Sequence, residues 1–257
     1  MSAAALGPVR GRDQALLLLL CLALFLPGFF TLPPVDRDEA RFAQASRQLL
    51  ESGDWIDIRF QAEPRYKKPI AIYWLQATAA ALTDRSAIWA YRLPSLIGAV
   101  AAVLLTLAIG GRLFDRTAGL AAAVMLAGSL LLAVEARLAT TDAALLAAIL
   151  LVQAVLARAW LAERTLSWWQ TLLLWGGLGL ALLLKGPIVL LVAGGTAAAL
   201  SIADRDAGWL ARLRPLPGVG IALLIVAPWL VLIELTSGGT FLAESAGGDL
   251  FAKLVGV

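Results

Sequence analysis

Predominantly apolar runs of about 18 residues and more recur along this chain, each long enough to cross about 30 Å of hydrocarbon as a helix. Such runs leave few folds open, because a backbone inside a bilayer must satisfy its own hydrogen bonds. Composition agrees: hydrophobic residues make up 60% and charged residues 15%, against about 25% charged in a soluble domain. The expected fold class is therefore all-α, a polytopic membrane protein. The net charge is only +3, and the basic residues are scattered among loops. A nucleic-acid partner would require them gathered on one face, so that class is excluded. Cys21 is the single cysteine and histidine is absent. No disulfide framework forms within the chain, and proton transfer must use carboxylates, lysine or tyrosine.

Seven spans are expected, over 14–32, 90–111, 117–136, 140–160, 168–184, 186–203 and 217–236. An uncleaved first span is preferred to a signal peptide, whose apolar part is shorter and ends at a small-x-small site. Lys185-Gly186-Pro187 reads as a tight turn between antiparallel helices. With the N-terminus in the cytoplasm, Arg10/Arg12, Arg112/Arg116, Arg158/Arg164 and Arg205/Arg212/Arg214 fall inside, as the positive-inside rule demands. The whole chain reads as one membrane domain, with an external loop over 36–83 and the start of another at 237–257. Gly98, Gly119, Gly176, Gly177 and Gly179 suit close helix approach.

The exception to this apolar pattern is the segment 36–68, which holds seven acidic and seven basic side chains of the chain's 39. Asp36 can cap a helix beginning near Arg37, with Glu39 placed as in a capping box. Phe42, Ala45, Leu49 and Leu50 give that helix an apolar face, and Gly53 can stop it. It reads as an amphipathic helix lying in the interface. Residues 54–68 read as a loop with extended pieces, and 69–83 as a second interfacial or re-entrant helix.

Chemistry is expected on this segment if anywhere. Asp38 and Glu39 can take a proton from a hydroxyl or hold a divalent cation. Arg59, Arg65, Lys67 and Lys68 can hold a phosphate. Trp55, Tyr66, Tyr73 and Trp74 suit an interface and can stack on a sugar. A structural reading stands beside this one: acids in a first helical turn favour its dipole, and Trp, Tyr and Lys anchor interfaces. Farther on, Asp142 opens the fourth span and Lys185 closes the fifth. Both emerge on the side of Asp38, with Arg137 nearby; capping for Asp142 and snorkelling for Lys185 are the structural alternatives.

Taken together, DRDEARFAQASRQLLESGDW, RYKKPIAIYWL, RLPS, ARLATTDA and LLKGP, in this order and spacing, resemble the polyprenyl-phosphate-sugar glycosyltransferases of the GT-C fold. The similarity is greatest to the lipid A aminoarabinose transferases, with protein O-mannosyltransferases as relatives, and covers about residues 14–250. It implies inverting transfer from an undecaprenyl- or dolichyl-phosphate sugar to a hydroxyl on lipid A, another glycan or a protein. The site would face the periplasm of a bacterial inner membrane. The resemblance implies Asp38 as the catalytic aspartate with Glu39 beside it, Lys68 on the lipid phosphate, Asp142 as a second acid, and Lys185 in the turn between spans.

Two departures bear on a metal at Asp38 and Glu39: Lys67 stands where the family commonly has an acid, and a later histidine-bearing loop has no counterpart. Family members are about twice as long, so the chain is expected to represent their N-terminal part. A truncated non-catalytic membrane subunit and a lipid or sugar transporter component are the alternatives. A transporter should show mid-span charges or inverted repeats, whereas the charges here cluster at span ends.

Overall fold

The computed structural model describes residues 9–162 and 164–241. Ten α-helices make up nearly all of it. They are α1 (Gly11–Phe25), α2 (Arg37–Ser52), α3 (Ala71–Leu82), α4 (Ile88–Leu113), α5 (Arg116–Ala127), α6 (Leu130–Glu135), α7 (Asp142–Leu161), α8 (Trp168–Lys185), α9 (Ile188–Asp204) and α10 (Pro215–Thr236). A two-residue hairpin, β1 (Arg59–Phe60) with β2 (Glu63–Pro64), and a 3-10 turn at Gly208–Leu213 complete the described elements.

By length and composition, α4, α7 and α10 are the described helices able to cross a membrane unaided. The other expected spans fall short for identifiable reasons. The first run turns after Phe25, where Pro27 cannot continue the helix and Gly28 adopts φ +80°. The 117–136 run breaks at Gly128–Ser129, and the Ser129 hydroxyl caps α6 by accepting from Leu132 N. Periodicity could not show either break, because the residues on both sides are equally apolar. The turn at Gly186 (φ +74°) reverses the chain between α8 and α9 as expected.

Many large apolar side chains point outward, among them Leu216, Leu224 and Leu235 on α10 and Leu130 and Leu131 on α6. Exposed aliphatics on this scale are unfavourable in water and matched to lipid. Inside, one core joins α2, α3, α7, α8 and α10, and a second joins α1, α4, α5 and α7.

Close helix approach rests on a few glycines. A Cβ at Gly98 would stand 2.7 Å from Ala143 O, which seats α4 on the start of α7. A Cβ at Gly119 would stand 2.6 Å from Gly111 N, which closes the α4–α5 hairpin. Gly176 and Gly177 meet only ordinary van der Waals contacts, so the packing role expected of them is weaker.

The 36–83 segment folds onto these helices. Asp36 caps α2 by accepting from Asp38 N at 2.6 Å and Glu39 N at 3.4 Å, and Gly53 ends the helix at φ +72°. Phe42, Ala45 and Leu49 are buried with Leu50 partly so, which places the expected apolar face inward. α3 packs between α2, α4 and α8, as a second short helix of the segment. Two indoles staple the intervening loop: Trp74 Nε1 donates to Trp55 O at 2.8 Å and Trp229 Nε1 to Ile56 O at 3.2 Å.

Candidate functional site

The beginning of α2 presents two neighbouring carboxylates with opposite fates. Asp38 stays on the surface, 57% exposed, with Arg41 one turn on at 3.5 Å. Glu39 is completely buried. Its Oε1 accepts from Arg92 Nε at 2.6 Å and from Ala139 N at 3.2 Å, and its Oε2 accepts from Val35 N at 3.0 Å. The expected capping box is therefore replaced by a reach one residue farther back. The expectation of Glu39 as a reacting or metal-holding group is corrected too, since it is enclosed and its oxygens are engaged.

Arg92 is not legible from the sequence as a site residue, since a charge near the start of an apolar span can equally well snorkel to the interface. It is fully buried on α4 and donates to the carbonyls of Phe29 (3.1 Å), Leu32 (2.9 Å) and Pro33 (3.0 Å) as well as to Glu39. One guanidinium thus ties the exit of α1, the start of α2 and, through Glu39, the 136–141 turn to a single point. Asp38 stands one residue from that anchor.

Behind Asp38, Arg65 is buried over the Phe42 ring at 5.1 Å, and its Nε donates to Tyr73 Oη at 3.2 Å. Burial pushes the Tyr73 hydroxyl up to about 12; Arg65 opposes this and the Asp38 charge adds to it. Arg65 and Tyr73 thus pack against α2 at Phe42, one turn on from Asp38. Tyr66 is buried too, donating to Asp57 Oδ1 at 3.0 Å, and Arg59 binds the other oxygen of Asp57 at 2.7 Å. Neither tyrosine offers a ring face to a sugar, which corrects the stacking expected of them. Trp55, 40% exposed, still does. Lys67 is exposed and Lys68 half-buried at the start of the turn into α3.

On the same side, Asp142 and Lys185 form an ion pair between α7 and α8, with their side chains 46% and 30% exposed. Asp142 is the first residue of α7 and Thr141 its N-cap, without a side-chain capping bond, so the capping alternative is replaced by the ion pair. At the end of α6, Glu135 accepts from Thr140 Oγ1 at 2.7 Å. Arg137 is different. Its guanidinium donates to Pro27 O at 2.9 Å and to the carbonyls of Leu24 and Ala133, so its role is to hold the end of α1.

Among the described residues no group of three acidic, cysteine or histidine side chains could hold a metal ion. With Glu39 committed to Arg92, the residues present do not fit a cation at Asp38 and Glu39.

The profile of the dolichyl-phosphate-mannose-protein mannosyltransferase family matches residues 67–232. The chain belongs to that family. Among similar proteins, the undecaprenyl phosphate-alpha-4-amino-4-deoxy-L-arabinose arabinosyl transferase 2 of Pseudomonas fluorescens is 32% identical over 166 residues, covering 62% of this chain and 28% of the relative. The corresponding transferase of Pectobacterium carotovorum is 31% identical over 134 residues, 49% of this chain and 22% of the relative. The chain thus matches less than a third of the length of these relatives. Crystal structures of ArnT from Cupriavidus metallidurans, one apo and one bound to undecaprenyl phosphate, superimpose with TM-score 0.81 at 23% identity, covering 90% of this chain and 43% of ArnT. The chain therefore shares the ArnT-like membrane fold, and its family is one of glycosyltransferases that use lipid-linked sugars.

Proposed function

We propose that this chain carries the hydroxyl-activating and phosphate-gripping portion of an inverting transferase. It would move a sugar from a polyprenyl phosphate to a lipid A, glycan or protein hydroxyl at the outer face of a bacterial inner membrane. The observation that carries this reading is the placement of an exposed Asp38 on a helix start pinned by the buried Glu39–Arg92 pair, with Arg65 packed over Phe42 one turn farther along the same helix. The arabinosyl transferases among the relatives and the undecaprenyl phosphate bound by ArnT support the same donor class.

In this reading the seven apolar segments all cross or enter the bilayer, the shorter helices as partners of α4, α7 and α10. The 36–83 segment then lies at the periplasmic surface. An acceptor hydroxyl attacks the sugar's anomeric carbon as its proton passes to an Asp38 oxygen. The bond from that carbon to the phosphate oxygen breaks, and its electron pair leaves with the polyprenyl phosphate. Lys67, Lys68 and Arg65 stabilise the negative charge that develops there, the point where preorganised cations contribute most. The Nη groups of Arg65 make no hydrogen bond among the described residues and remain for that anion. Lys185 is a further phosphate ligand, held by Asp142 until the donor arrives.

The test is sugar transfer from a radiolabelled polyprenyl-phosphate sugar pool in membranes expressing the chain, beside Asp38→Asn. General-base removal should lower transfer by about 10²–10⁴. Equal transfer by both forms would overturn the assignment of Asp38.

A further inference from the structure

At the end of the helices remote from Asp38, α1 starts between the end of α4 and the start of α5, where a groove opens. Its volume is about 420 Å³, and its lining joins Arg10, Arg12, Asp13 and Arg116 to leucines such as Leu16 and Leu120. Arg116 is spent: its Nε and Nη2 clasp the two oxygens of Asp13 at 2.7 and 2.5 Å, and Arg10 N donates to Asp13 at 2.9 Å. This clasp fixes α1 against α5 and neutralises both charges. Arg10 and Arg12 are exposed and make no ion pair among the described residues, and Arg112 lies exposed at the end of α4 nearby. Asp115, the remaining acid here, caps α5 through Ala118 N at 2.8 Å. Counting Arg10, Arg12, Arg112 and Arg116 against Asp13 and Asp115 leaves the groove mouth two positive charges in excess.

The rest of the lining is apolar. Leu16 is 55% exposed and Val124 47% exposed, both lining the groove. A small anion would use the arginines and leave the leucines uncovered. A phosphodiester with an attached acyl chain fits both, since basic pockets between helices at a membrane surface hold anionic headgroups while apolar walls take the chains. We propose that this groove is a binding site for an anionic phospholipid, with the headgroup phosphate on Arg10 and Arg12 and an acyl chain along Leu16, Leu120 and Val124. The site lies at the opposite end of the helices from the candidate transfer site and does not depend on it.

The experiment uses the purified chain in nanodiscs of phosphatidylcholine with one fifth phosphatidylglycerol, released into a mild detergent and weighed intact by native mass spectrometry. The expected result is retained phosphatidylglycerol in preference to phosphatidylcholine. Arg10→Gln with Arg12→Gln should lower that retention about five-fold for each charge removed. Leu120→Trp fills the apolar wall without touching a charge and should also release the lipid, whereas Arg158→Gln, an exposed arginine at the end of α7, should not. No preference for phosphatidylglycerol, equal loss in Arg158→Gln, retention in Leu120→Trp, or displacement by 10 mM inorganic phosphate (about a thousand-fold over the lipid) would each overturn the proposal.

Discussion

Arg92 and Glu39 meet at 2.6 Å from positions 53 residues apart, with neither side chain exposed to solvent. Removing one partner strands the other as a buried charge, which costs about 3–5 kcal/mol. Arg92→Met should therefore cost that much in thermal or denaturant unfolding of the purified chain. Pairing it with Glu39→Leu should recover only part of the loss. The carbonyls of Phe29, Leu32 and Pro33 would still lack their donor. Full recovery in the double variant would show that those carbonyl bonds contribute nothing.

Tyr73 makes stability depend on alkaline pH. Its hydroxyl is held neutral by burial, with a folded-state value of about 12 against an unfolded value of about 10. A raised value contributes stability that is complete below about pH 10 and is lost as pH climbs from there towards 12. The melting temperature should fall more steeply above pH 10 in the natural chain than in Tyr73→Phe. Parallel curves would show that Tyr73 titrates normally.

The Asp142–Lys185 pair separates stability from function. Both side chains are partly exposed, and pairs of this kind contribute about 0–1 kcal/mol. Lys185→Met should leave the unfolding midpoint nearly unchanged and still depress sugar transfer by ten-fold or more, about 1.4 kcal/mol in barrier height. A loss of midpoint that matches the loss of transfer would make the pair structural.

Gly98 tests how far helix packing reaches the site. Its substituted Cβ would press on the backbone of Ala143 and Ala144, the residues that follow Asp142 on α7. Gly98→Ala should cost about 1–3 kcal/mol as overpacking and displace Asp142 from Lys185. Gly194→Ala meets nothing within 4 Å and should do neither, so transfer measured on the two variants decides the matter.

How much of this was readable in the sequence depended on distance along the chain. The start of α2 was legible because Asp36, Phe42 and Gly53 each act within a few residues of themselves. The turn after Lys185 was legible for the same reason. Arg92 stands in the RLPS motif, but nothing local to α4 points to its partner, an acid 53 residues upstream. The tyrosines were misjudged in the opposite direction. Tyr66 and Tyr73 carry amphipathic rings suited to an interface, and only the tertiary packing around Asp57 and Arg65 shows that both are enclosed. The apolar runs indicate the fold class without the helix ends, because Pro27 and the extended backbone at Ser129 end helices that hydropathy alone would continue.

The burial of Arg92 also bears on how the chain is made. An arginine enclosed near the start of a long apolar helix is costly to bury without its partner, and its acidic partner lies upstream, so Glu39 leaves the ribosome first. The clasp can close as soon as α4 is threaded, which couples insertion of that helix to the docking of α2. Damage to either residue would then register in cells as failed biogenesis and proteolytic clearance, before any question of turnover arises.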